Sequence, residues 1–146
     1  MADARVTDLA LNRMLGLRAA PAGSGAVLEM AEAELLLNHL GTIHAGALFA
    51  LAEASSAAFL LDELPQIAEG TFAALRSSET KFRRPGRGRL RSVAKFEEGD
   101  AAAVATELAG RGRAIVAVGV ELMDEEGALV MSGRFGWFLQ KGEKRD

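Results

Sequence analysis

Residues 38–60, NHLGTIHAGALFALAEASSAAFL, set the terms for everything around them. From Ala45 to Leu61 the stretch is mainly Ala, Leu, Phe, Gly and Ser, too long and too rich in alanine for a strand, which predicts a buried helix over about 44–62. A helix apolar on nearly every face must be covered all round, and one antiparallel sheet can cover it only by curling around it. It is slightly short for a membrane span, stands alone in the chain, and carries Glu53 and two serines, so no membrane partner is expected.

The flanking sequence supplies such a sheet. After Pro65 the segments TFAALRSSETKFRRPG, GRLRSVAKFEEGD, AAAVATELAGRGR, AIVAVGVELMDEEG and ALVMSGRFGWFLQ read as extended pieces separated by Gly, Pro and Asp-rich turns, with MDEEG a clear hairpin. Ahead of the helix, AVLEMAEAELLLN reads as a strand with a bend. Val6, Leu9, Ala10, Met14 and Leu17 give a short amphipathic helix over about 4–17. The expected fold is therefore α+β, an antiparallel sheet of about five strands wrapped around a central helix. Nothing divides the 146 residues, so a single domain over 1–146 is expected, with a flexible tail at 141–146.

Composition excludes several classes of chemistry. The absence of cysteine removes disulfides, thiolate metal sites and a thiol nucleophile, and two histidines, His39 and His44, leave little for a zinc site. No metal or cofactor is expected. The formal charge of −3, the lack of tyrosine and the absence of aromatic residues alternating with cations argue against a nucleic-acid partner. The opening residues carry acids and no signal-like apolar core, so the expected compartment is the cytoplasm.

Glu53 is the one formal charge between Ala45 and Leu61, and Phe49, Ala50, Ser56, Ala57 and Leu60 surround it at helical spacing. Burying an ionised acid without a cationic neighbour is costly, so such a group has a raised pKa or finds partners from elsewhere. One alternative is that it reaches solvent, another that it pairs with an arginine from a distant strand. At the helix start, GTIHAG leaves backbone amides accessible around Gly41, Ala45 and Gly46, where unpaired N–H groups suit an oxyanion; the other reading is a loop and cap alone. His44 and Glu53 are nine positions apart, about 12 to 14 Å along a helix. One helix cannot bring both ends to one carbonyl, but two antiparallel copies can. If both features act on one substrate, the active unit is at least a dimer.

The string N-x-x-G-T-x-H-A-G-A-L-x-x-L-A-E, residues 38–53, resembles the signature of hotdog-fold thioesterases of the phenylacetate-pathway, PaaI-type group, usually N-x-x-G-x-x-H-G-G-x-x-x-x-x-x-D. F-x-R-P-x-x-G-x-L from Phe82 to Leu90 and the D-x-x-G turn at Asp124 extend the likeness over most of the chain. The resemblance implies a hotdog homodimer with a continuous sheet, or a homotetramer of two such dimers, acting on acyl-CoA or another acyl thioester. It assigns Glu53 as the catalytic carboxylate, nucleophile or general base. It also assigns Ala45 as the residue whose N–H polarises the carbonyl, Asn38 as the residue positioning water or substrate, and His44 as the histidine beginning the helix. Two departures bear on substrate class. Glu53 replaces the usual Asp, extending its reach by one methylene, and Ala45 replaces the first Gly, keeping the amide but adding a methyl.

Hydrolysis of a thioester needs an attacking oxygen and a polarised carbonyl; the thiolate leaves without a strong general acid. In this reading Glu53 activates water or attacks, the Ala45 amide aided by Gly46 holds the oxyanion, and Asn38 holds the water. His44 has two readings, a hydrogen-bonding residue at the helix start or a catalytic one, and His39 is a loop residue. Lys81 to Lys95 holds seven cations and no acid. Arg87, Arg89 and Arg91 alternate and would share one face of an extended chain, and with Arg83 and Arg84 they suit the phosphates of coenzyme A; the other reading is a solvated strand face. The competing function is a hotdog protein that binds acyl groups or acyl-CoA without turnover, since fold alone does not separate the two.

Overall fold

A computed structural model describes residues 4–142. The chain opens with two short turns, α1 (Ala4–Thr7) and α2 (Ala10–Met14), rather than one helix over 4–17. Leu9 breaks it with an extended ψ of 138°. The side-chain amide of Asn12 then folds back to donate to the Val6 carbonyl at 2.9 Å. This bend buries Val6, Asn12 and Leu17 and leaves Leu9 and Met14, which a continuous apolar stripe would have buried, in solvent.

Two short strands follow, β1 (Arg18–Ala19) and β2 (Leu28–Met30), paired antiparallel. The strand expected from Ala26 stops at Met30, and a short 3-10 turn, Glu34–Leu36, leads to the central helix α3 (Ala45–Glu63). Beyond a second 3-10 turn at Pro65–Ala68 come β3 (Thr71–Phe82), β4 (Leu90–Phe96), helix α4 (Ala101–Arg111), β5 (Arg113–Met123) and β6 (Leu129–Lys141). The six strands form one antiparallel sheet in the order β1-β2-β4-β5-β6-β3. That is the expected α+β arrangement with one strand more than counted, because Arg18–Ala19, ahead of the segment read as the first strand, adds a two-residue edge strand.

Residues 101–111 correct the strand reading of AAAVATELAGRGR. The Asp100 carboxylate caps the Ala103 N–H at 2.9 Å, and Gly112 ends the helix in the left-handed conformation at φ 73° that glycine adopts without strain. Val104 and Leu108, one turn apart, are its buried pair.

The sheet curls on α3 as an all-round apolar helix requires. Leu48, Leu51, Ala52, Ala58 and Leu60 are buried against inward-facing Met30, Leu90, Val118, Leu122, Phe135 and Leu139. A buried polar link ties the helix to the sheet: Ser55 Oγ meets Ser92 Oγ of β4 at 2.7 Å, and Ser92 Oγ in turn accepts from the Leu28 N–H of β2 at 3.0 Å. α3 is long and apolar enough to cross a membrane, yet it is packed as the core helix of this sheet. One stripe of it escapes cover: Gly46, Phe49, Ala50, Glu53, Ala57 and Leu61 are exposed or half-buried. At the end of the sheet, among the described residues, β3 pairs only with β6, leaving its other edge open over twelve residues. Of the tail expected to be loose, Lys141 ends β6 and donates its N–H to the Gly112 carbonyl at 2.7 Å, and Gly142 donates to Gly70 at 3.0 Å. Residues 143–146 lie outside the described residues.

Candidate active site

The loop before α3 is built around Asn38. Its Oδ1 accepts the N–H of Leu40 at 2.9 Å and of Thr42 at 3.1 Å, and its Nδ2 lies 3.0 Å from Thr42 Oγ1. Gly41, at φ 72°, supplies the left-handed turn, closed by a bond from its N–H to the Asn38 carbonyl at 3.1 Å. Asn38 therefore spends its carbonyl oxygen and one donor on the loop itself. His39 is exposed in that loop, as the sequence indicates.

The loop leads straight into the helix start. His44 is the N-cap, and its Nδ1 accepts the Gly46 N–H at 2.8 Å. That bond places the ring proton on Nε2. It also withdraws Gly46 from the pair of amides expected to face an oxyanion. The Ala45 N–H, exposed at the first position of α3, has no hydrogen-bond partner among the described residues. With the positive end of the helix dipole behind it, this single amide is the free donor.

Glu53 lies two turns along the uncovered stripe. Among the described residues nothing donates to its carboxylate and no cation pairs with it; burial pushes its carboxyl above the ordinary range. Of its two alternatives, the ion pair with a distant arginine is not realised among the described residues, while the half-buried side chain does reach the surface. Its main chain is anchored instead: Ser56 Oγ donates to the Glu53 carbonyl at 2.6 Å and accepts from Trp137 Nε1 of β6 at 2.8 Å. The sequence hinted at Ser56 by its spacing, but the indole partner 81 residues away has no local signal. Ala45 and Glu53 are eight positions apart on a continuous helix, about 12 Å along its axis, so one chain does not bring the free amide and the acid together.

The arginines divide. Gly86 is seated beside the helix start, where the Ile43 N–H donates to its carbonyl at 2.9 Å, and this docks the loop between β3 and β4 against the residue before His44. Arg84, Arg87 and Arg89 are exposed on that loop. Arg83 lines a hollow on the outer face of the sheet with Lys81 and Arg134. Arg91 departs from the expected set: its Nε pairs with Glu29 Oε2 at 3.1 Å, and Arg18 pairs with the other oxygen of the same carboxylate at 3.3 Å. The strict alternation also fails, because Gly88 turns the chain at φ 69° between Arg87 and Arg89. The Glu32 and Glu125 carboxylates fasten this loop by accepting the N–H groups of Gly88 at 3.1 Å and Arg89 at 2.8 Å.

A family model described as a domain of unknown function, DUF4442, matches residues 20–139. The chain belongs to that family. No curated protein matches this DUF4442 chain. Among solved structures it resembles a Pseudomonas aeruginosa protein of unknown function, described as a probable thioesterase, at 29% identity and a TM-score of 0.80 over 94% of this chain and 91% of the other. A Bacillus halodurans protein solved with CoA has 19% identity and a TM-score of 0.71, over 93% of this chain and 79% of the other. The Escherichia coli PaaI protein of the phenylacetic acid degradation operon has 21% identity and a TM-score of 0.66, over 97% and 91%. The DUF4442 chain has the hotdog fold that the helix signature implied.

Proposed function

We propose that this protein is an acyl-CoA thioesterase, active as a homodimer in which each site joins the Ala45 amide of one protomer to Glu53 of the other. The observation that carries the reading is the combination, on one helix, of a half-buried carboxylate with no partner among the described residues and an unbonded helix-start amide about 12 Å away. Two antiparallel copies of α3 bring these together twice. The 29% identical Pseudomonas aeruginosa relative, described as a probable thioesterase, supports the reaction class, and the Bacillus halodurans structure with CoA supports the leaving group.

In the reaction the carbonyl oxygen accepts from the Ala45 N–H, which stabilises the negative charge that develops as the tetrahedral centre forms. Glu53 of the partner subunit takes a proton from water as the water oxygen bonds to the carbonyl carbon. The C–S bond then breaks, and the thiolate departs to be protonated by solvent. Direct attack by the Glu53 carboxylate forms an anhydride that water opens, with the same net balance. The capped Gly46 amide stays out of the hole. Asn38 shapes the loop that presents Ala45, and its second Nδ2 hydrogen is the donor left for water. Of the five arginines, Arg84, Arg87 and Arg89 are the phosphate contacts this reading keeps, since they stand on the loop docked at the helix start.

Thiol release measured over a panel of acyl-CoAs, with wild type and Glu53→Ala, tests the assignment. Turnover by the wild type and its loss in the variant, with acyl-CoA still bound, is the expected result. Binding without turnover by the wild type would establish the non-catalytic acyl-CoA binder instead, and equal rates in both proteins would remove Glu53 from the chemistry.

A further inference from the structure

Symmetry gives the uncovered stripe of α3 a centre. A two-fold axis that sets Glu53 of one copy opposite Ala45 of the other also sets Ala45 of the first opposite Glu53 of the second. Midway between positions 45 and 53 stands Phe49, half-buried on the same stripe. A residue on the axis faces its own copy.

We propose that Phe49 lies on the two-fold axis of the dimer, where the two rings meet as a shared wall that limits the length of acyl chain each site accepts. The inference rests on the shared-site reading above and adds a specificity-determining residue to it. The ring is held from behind: it packs 5.6 Å, centroid to centroid, from Phe135 at an interplanar angle of 57°. Phe135 is fully buried, and it occupies space that Gly133 leaves open, since a Cβ there would come within 2.7 Å of Phe135 Cε2. Phe49 therefore has a filled core behind it and cannot swing inward to make way for substrate.

The direction of the acyl chain follows from the leaving group. Coenzyme A is large and polyanionic, and the exposed arginines stand outside the helix start, on the loop that the Ile43 N–H bonds at Gly86. With CoA on that side, the acyl group extends the other way, along the seam between the two copies of α3 and toward the axis. Phe49 is four positions beyond Ala45, so the wall stands about 6 Å along the helix from the free amide.

The chain contains no cysteine, so a single introduced thiol reports on placement alone. Full-length Phe49→Cys, treated with oxidant or with a short bis-maleimide, is expected to form a covalent dimer on a denaturing gel. Ala57→Cys, eight residues off the axis in each copy and so about 24 Å from its counterpart, is expected to remain a monomer. Ala50→Cys, which removes no large side chain, repeats the test with the bis-maleimide if Phe49→Cys folds poorly. Failure of positions 49 and 50 to link, or linking at 57, would overturn the placement whatever the protein's activity. For the wall, Phe49→Ala is expected to shift the ratio of kcat/KM for long over short acyl-CoAs upward by about tenfold or more. An unchanged ratio with activity retained would overturn it. If the wild type hydrolyses no acyl-CoA, the thioesterase reading fails by itself, and the same ratio taken from acyl-CoA dissociation constants decides the wall.

Discussion

Trp137 and Ser56 are joined by a buried 2.8 Å hydrogen bond between β6 and α3, and the same hydroxyl donates to the Glu53 carbonyl. The indole donor of a core tryptophan thus grips the turn of helix that carries the candidate catalytic acid. Ser56→Ala leaves that indole N–H buried without a partner, which costs about 1–3 kcal/mol. Trp137→Phe removes the donor but leaves the hydroxyl its helical acceptor, so the polar penalty disappears and only the smaller ring's lost packing remains. Denaturant midpoints of the two variants are expected to separate them, with the double variant less destabilised than the sum of the singles.

The placement of this pair explains how far the sequence could be read. The composition of α3, the lone Glu53 and the turn signals around Asp124 are local, and the helix and the four long strands follow from them. The failures had different causes, some local and some distant. The helix over 101–111 carried a legible cap at Asp100 and a legible stop at Gly112, but its alanines fit an expected run of hairpins equally well. Arg91 looked like one of a row of phosphate contacts until β2 brought Glu29 beside it, 62 residues away in sequence. Gly46 looked free until the His44 ring folded over it.

Because burial raises the Glu53 carboxyl above its ordinary value of 4.5, the native state holds that proton more tightly than the unfolded chain does. Where the native state binds more protons, stability falls with rising pH. The wild type is therefore expected to lose stability relative to Glu53→Gln as pH rises from about 4.5 through the raised native value, and to keep the deficit above it. Thermal midpoints of both proteins across acid and neutral pH read the difference. In thiol release, kcat/KM is expected to rise with pH along an acid limb centred above the normal carboxylate range. A limb at the ordinary value would argue that another group carries the titration.

Gly86 joins the arginine loop to the start of α3 with little room for a side chain. A Cβ there would lie 3.2 Å from Leu48 Cδ2 and 3.4 Å from both Leu90 Cδ1 and Val130 Cγ1. These are side-chain ends near the Gly86–Ile43 bond that must give by a few tenths of an ångström to take an alanine, so the bulkier Gly86→Val forces the loop outward or the core apart and is expected to cost about 1–3 kcal/mol. Under the proposed function the displaced loop also carries Arg84, Arg87 and Arg89 away from the site. KM for acyl-CoA should then rise more than kcat falls, and a pantetheine thioester lacking the nucleotide should show little change in KM. A loss confined to kcat for both substrates would dissociate the loop from CoA binding.

His44 is assigned by its contact. Its Nδ1 does the work of an N-cap acceptor toward Gly46, a job that an asparagine side chain performs at a helix start as well. His44→Ala is expected to lose about 1 kcal/mol of stability and to free the Gly46 N–H beside Ala45, whereas His44→Asn should recover the stability. If capping is the whole role of the ring, His44→Asn also recovers thiol release to near the wild-type rate. If the ring takes part in the chemistry, His44→Asn is stable and slow. Activity and unfolding midpoints measured on the same two variants therefore decide between a helix cap and a catalytic imidazole.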